Sequence, residues 1–343
     1  MTANKQAQRW KPHSGKASPV VLALSLFPFL TAVAQESRGP MDMPPPEARL
    51  TAVRKIAFES GNVTRAIHRH SDGRLYVLNL LDKCIWIFDK DGKSVGRLFG
   101  DAAAPQLARH PKDFEFDRSG NLLVADGPEI ETFTAEGEMV GRFDTGMLIY
   151  SLRILSTGMI VVTGHAKNGL IKVFSADGTL IRSIGEPLRI EEDSENNLLI
   201  NVGFTVVDAA DNIYYFFQNL SPPTIRKYSP EGQLLAEWNP THRYLDPVAA
   251  LLTANPAKLG TIKRAGVMPA FTGAGYDART GSLWFGSGNG QLFQIDHTGR
   301  VQRHLMPLRP DGNGLNVSRI LFEGDTMIIS TLSAGVFEFK RPE

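Results

Sequence analysis

The chain has 343 residues, with 37 Lys plus Arg against 36 Asp plus Glu. That balance, without a basic cluster, argues against a nucleic-acid partner. A single cysteine, Cys84, excludes an internal disulfide.

In chain order, residues 1–34 read as a signal peptide. Lys5, Arg9, Lys11 and Lys16 precede an apolar run from Val20 to Val33, which ends at the small-x-small site Ala32-Val33-Ala34. The run is too short for a membrane anchor, and Pro28 interrupts it. Cleavage after Ala34 leaves 33 basic and 36 acidic side chains, and no later segment is long and apolar enough to span a bilayer. The expected location is periplasmic or secreted. Residues 35–48 form a Pro-rich linker, in which Pro44-Pro45-Pro46 favours extended polyproline II.

From residue 49 to 343 one unit recurs: strand, Gly/Asn turn, strand, variable loop, aromatic-rich strand, second Gly turn, strand. The first turns sit at Gly73, Gly120, Gly158, Asn212, Gly281 and Gly324, at intervals of 47, 38, 54, 69 and 43 residues. Gly or Asn there tolerates the positive φ of a tight hairpin. The flanks, such as Ile171-Lys172-Val173-Phe174 and Val336-Phe337-Glu338-Phe339, are β-branched or aromatic with period two. Cys84 lies in one such apolar strand and reads as a buried small hydrophobe. Units of this kind bury their faces by packing radially, which predicts an all-β six-bladed propeller of four-stranded antiparallel blades. The sixth unit supplies three strands before Glu343, so Arg49 to Phe58 is expected to complete the last blade and lock the ring. A pair of β-sandwiches or a seven-bladed ring is the alternative fold.

The second unit carries the pattern most fully: Gly120-Asn121-Leu122-Leu123-Val124-Ala125-Asp126, then Thr132-Phe133-Thr134-Ala135-Glu136-Gly137. It resembles the NHL-repeat six-bladed propellers, over roughly residues 49–343. Asp126 keeps one polar residue of that family's repeat, whereas its Asn-x-Arg triplet is absent from every unit.

By analogy with propellers, ligands are expected at the face formed by the loops between second and third strands and between blades. Its candidates are His110, Asp126, Glu129, His165, Asn168, Gln218 and Asn289. Two propeller groups imply metal chemistry there. Gluconolactonase-like members hold a divalent cation with a carboxylate and asparagines, and peptidyl-amide lyase members hold zinc with histidines. Neither set matches residue by residue, so no cofactor is expected, with a divalent cation as the alternative. His68 and His70 could chelate a metal from one side of a strand, but they precede the turn at Gly73 and belong to the opposite face. A Gly-x-Ser-x-Gly hydrolase elbow is absent.

The insertion at 239–270, with Asp246-Pro247 opening a short helix, is placed to rim the axial mouth. The connection from Pro187 to Asn201 reads as a solvated acidic run. The function these features imply is that of a monomeric binding module for a protein, peptide or glycan. The alternatives are a metal-dependent lactonase- or lyase-type enzyme and a structural module of an envelope assembly.

Overall fold

The structure, a computed structural model, describes residues 48–57, 63–99, 111–165, 168–189, 194–246, 248 and 268–342. The signal segment and His110 lie outside these.

Two short strands come first, β1 (Arg49–Thr51) and β2 (Arg54–Ala57). Blade 1 follows with β3 (Thr64–Arg69), β4 (Leu75–Asn79), β5 (Cys84–Phe88) and β6 (Ser94–Leu98). Blade 2 holds β7 (Pro111–Phe116), β8 (Leu122–Asp126), β9 (Glu129–Phe133) and β10 (Met139–Asp144). Blade 3 holds β11 (Ile149–Ile154), β12 (Ile160–Gly164), β13 (Ile171–Phe174) and β14 (Leu180–Ile184). After a helix, α1 (Ser194–Ile200), blade 4 comprises β15 (Gly203–Val207), β16 (Ile213–Phe217), β17 (Ile225–Tyr228) and β18 (Leu234–Trp238). Blade 5 is β19 (Gly273–Asp277), β20 (Ser282–Gly286), β21 (Leu292–Ile295) and β22 (Val301–Leu308). Blade 6 is β23 (Val317–Glu323), β24 (Thr326–Thr331) and β25 (Gly335–Lys340), with β2 as its outer strand.

The protein is therefore the six-bladed β-propeller that the repeat predicts. Its core is distributed, one cluster at each blade–blade interface, and strand alternation does the sorting. In β8, Leu122 and Val124 pack towards blade 1, while Leu123 and Ala125 pack towards blade 3. In β16, Ile213, Tyr215 and Phe217 face blade 3, whereas Tyr214 and Phe216 face blade 5. In β24, Met327 and Ile329 meet blade 5, and Ile328 meets blade 1. A strand buried on both faces must be apolar at every position, which is why the second strands read as continuous hydrophobic runs. The outer strands, such as β6 and β10, are largely exposed.

The N-terminal segment closes the ring in two pieces rather than one. β2 pairs antiparallel with β25 and completes blade 6, whereas β1 pairs in parallel with β22 and adds a fifth strand to blade 5. The cause lies in β22, which runs on beyond its pairing with β21 at Leu305. Met306, Pro307 and Leu308 thus present a free edge, and Arg49 to Thr51 take it. The chain crosses between blades at Ala52 and Val53, whose N–H groups donate to Leu308 O (2.9 Å) and Glu338 O (2.7 Å).

Three smaller differences from the sequence reading concern local geometry. In blade 4 the positive φ falls on Asp211 rather than Asn212, because Asp208 and Asn212 bracket the turn with hydrogen bonds. The acidic connection between blades 3 and 4 contains α1. The start of the 239–270 insertion is buried, with Tyr244, Leu245 and Val248 almost fully enclosed; residues 249–267 lie outside the described chain. Cys84 is fully buried, and among the described residues no helix is long and apolar enough to cross a membrane.

Candidate functional site

Six inner strands, β3, β7, β11, β15, β19 and β23, surround the axis, and the end where they begin is termed the upper end here. Four of them carry a β-bulge at the same place. Pairing skips Arg65 in β3, Lys112 in β7, Tyr150 in β11 and Ser318 in β23. A bulged residue lacks a partner across the ladder, and its side chain is re-aimed. β15 and β19 pair without a skip and begin with Gly203 and Gly273 instead.

Three of these bulged side chains converge although they come from different blades. Arg65 interacts electrostatically with Asp113 of blade 2 and Tyr150 of blade 3, and Lys112 interacts with Arg65. Burial lowers the Arg65 pKa, with Asp113 and Tyr150 opposing. Lys112 is 9% exposed. Burial first, and then the neighbouring Arg65 charge, push its ammonium down to about 8. Neither Arg65 nor Lys112 has a hydrogen-bond or ion-pair partner among the described residues. Burial holds the Tyr150 phenol well above its ordinary value and the His165 imidazole below its own. Both groups are therefore neutral, and they share a short hydrogen bond between Tyr150 Oη and His165 Nε2.

Below this group the axis is crossed by a charged layer. Asp113 is 1% exposed and accepts four hydrogen bonds. Oδ1 takes the Phe114 N–H (3.0 Å) and Arg319 Nη2 (2.6 Å). Oδ2 takes the Leu152 N–H (3.0 Å) and Arg153 Nη1 (2.9 Å). One carboxylate thus ties blades 2, 3 and 6 together, while Arg153 Nη2 and Arg319 Nε are left without partners.

Beyond the layer a cavity of about 610 Å³ lies at the lower end, lined by His68, Glu115, Arg153, Arg319, Asp208 and Glu323 among others. Its acids are engaged. Glu115 meets His68 Nδ1 at 2.8 Å, Glu323 accepts from Arg69 at 2.7 Å, and Asp208 accepts from Tyr214 at 2.8 Å. His70 sits 3.2 Å from Asp72, so the two histidines of the H-x-H spacing bind separate carboxylates at the face opposite the upper mouth.

The sequence candidates fall at the upper end by register, but their surroundings differ. Asp126 and Glu129 face each other across the β8–β9 turn; Asp126 is buried opposite Pro111. His165 follows β12 and reaches the bulged Tyr150. Asn168 is exposed on its loop. Gln218 is half-buried, with its backbone bonded to Val202 and Ala270. Asn289 donates to Tyr244 O at 2.7 Å and accepts from Ser287 Oγ, which fastens the start of the insertion to blade 5. Among the described residues no three His, Cys, Asp or Glu side chains gather to hold a metal.

Arg65, Lys112, Asp113, Tyr150, Arg153 and Arg319 are not among the sequence candidates, because they sit within inner strands rather than in the loops of the upper face. One signal was available: Arg153-Ile154-Leu155 and Arg319-Ile320-Leu321 repeat a buried-strand arginine in two units, and Lys112-Asp113 sits in a third.

No family model and no curated protein matches the chain. Solved structures do. A catalytically inactive virginiamycin B lyase from Staphylococcus aureus with quinupristin superposes with a TM-score of 0.54 at 11% identity, covering 83% of this chain and 97% of that one. A streptogramin B lyase gives 0.51 at 12% identity, covering 84% and 86%. A luciferin-regenerating enzyme gives 0.56 at 12% identity, covering 84% and 96%. At these identities the likeness is one of fold.

Proposed function

We propose that the chain is an exported, NHL-like binding propeller that receives its ligand at the upper mouth of the axial channel. The observation that carries this reading is the convergence of Arg65, Lys112 and Tyr150, each set by an inner-strand bulge, beside His165. Core polar groups with no structural partner are costly, and sites of function are where such costs concentrate. Export is supported by the basic start, apolar run and Ala32-Val33-Ala34 site, and NHL kinship by the six turn-strand units.

Thermal-shift screening of a peptide and glycan panel tests the reading. Ligands that stabilise the wild type should lose their effect in the Tyr150→Phe, His165→Ala double variant. Hits that stabilise both proteins equally would place binding elsewhere.

A second reading, a lyase- or lactonase-type enzyme, is favoured by one observation. Lys112, with its ammonium held at about 8, is a group that can exchange a proton near neutral pH. A cation-dependent version would need His110 alongside His165, since the described residues by themselves do not form a donor set. Elemental analysis of the purified protein with no stoichiometric divalent cation would remove that version.

A further inference from the structure

We infer that the upper channel is an oxyanion site, taking a carboxylate or phosphate group of the ligand between Arg65 and Lys112. The inference rests on the upper mouth being the binding end, and it adds the charge class of what enters.

Charge and valence around the axis carry it. Three basic side chains, Arg65, Arg153 and Arg319, act on one carboxylate, Asp113, and a fourth, Lys112, acts on Arg65. That carboxylate has about four lone-pair positions. All four are filled, by the Phe114 and Leu152 N–H groups and by the two deeper arginines. Asp113 can therefore attract Arg65 through space but has no acceptor left to give it, and none for Lys112. Glu115, the next acid along β7, is bound to His68 on the lower side. The Tyr150 hydroxyl is engaged with His165 Nε2.

Asp126 and Glu129, the other carboxylates at this end, face each other across the β8–β9 turn and have interactions of their own, and neither bonds Arg65 or Lys112. Arg65 offers five N–H groups and Lys112 three, all without a protein acceptor among the described residues. Two like charges this close, one nearly buried, repel each other, and an oxyanion between them turns that repulsion into two charge-assisted hydrogen bonds. The equivalent bulges in β3 and β7 place both side chains at one level of the axis, so a single group can meet both.

The test is calorimetric titration of the full chain with inorganic phosphate, with succinate, and with the neutral analogue succinamide. The proteins are wild type, Lys112→Met and Lys112→Arg, each checked for folding by its melting curve. The wild type should bind phosphate or succinate, and whichever binds identifies the group. Lys112→Met should weaken that binding by about tenfold to a hundredfold, the worth of one charge-assisted hydrogen bond. Lys112→Arg should restore most of it, and succinamide should not compete. Equal affinity in wild type and Lys112→Met would mean an adventitious ion only and would overturn the inference, as would no binding of either anion. If neutral ligands from the panel still depend on Tyr150 and His165 while anions fail, the charge class is wrong and the binding end stands. If both dependences are missing, the binding end is wrong as well.

Discussion

Lys112 sits where its charge costs stability. The folded ammonium titrates near 8, against 10.5 for an ordinary lysine, so between those values the unfolded chain holds a proton that the folded chain has released. Stability therefore rises with pH across that window, and below it the charged form costs about 3 kcal/mol. Urea unfolding of Lys112→Met at pH 7 should show a gain of about 2–3 kcal/mol, shrinking towards pH 10. A substitution that stabilises the protein while weakening anion binding would mark Lys112 as kept for function. His165 supplies the acid limb. Its folded pKa lies below the ordinary 6.5, so as pH falls through 6.5 the unfolded chain takes up a proton the folded chain refuses, and stability declines. His165→Asn should flatten that limb in melts followed by circular dichroism. Asp113→Ala leaves Arg153 and Arg319 buried without their shared partner and should cost about 3–5 kcal/mol by urea unfolding.

At the scale of elements, the inner strands reach the axis by two devices. Four use bulges; β15 and β19 use glycine. A Cβ on Gly275 would run into the Ile320 carbonyl oxygen and side chain of blade 6, because β19 and β23 approach backbone to backbone. Gly275→Ala should therefore destabilise by about 2 kcal/mol or more through overpacking, measured by thermal unfolding. This difference also explains what was legible beforehand. Turns and second strands were plain in the sequence, since Gly120, Gly158 and the run Leu122 to Ala125 act locally or through a two-residue period. Bulges are not plain, because one extra residue leaves composition unchanged and reverses which way Arg65 or Lys112 points. The helix α1 was hidden in a segment whose acids suggested a solvated run, although Asn197-Leu198-Leu199-Ile200 has apolar residues to bury. The splitting of the N-terminal strand depended on the length of β22, a property of a distant unit. Among the described candidate site residues, His165 is the one whose side chain bonds a bulged inner-strand residue.

At the scale of the whole molecule, six interfaces of similar make-up form a closed cycle in which the last must be tied to the first. The tie has three parts. β2 completes blade 6, β1 extends blade 5, and Arg54 of β2 joins blade 6 to blade 1 by donating to Glu338 (2.9 Å) and to the carbonyls of Lys90 (3.0 Å) and Asp91 (2.8 Å). Thr64 Oγ1 of β3 adds a short hydrogen bond to the Thr331 carbonyl across the same seam. Deleting residues 48–57 should lower the melting temperature sharply and broaden the transition in scanning calorimetry, since the 6–1 interface loses Ile56 and its outer strand together. Closure also completes the charged layer, since Arg319 of blade 6 reaches Asp113 of blade 2 only if the ring is shut.

The cationic upper channel is the centre of this account, and anomalous diffraction from crystals soaked in selenate tests it most directly. The expected result is a selenium peak on the axis within hydrogen-bond distance of Arg65 and Lys112, lost in Lys112→Met crystals. A channel without a peak, in crystals whose surface sites have taken up selenate, would contradict it.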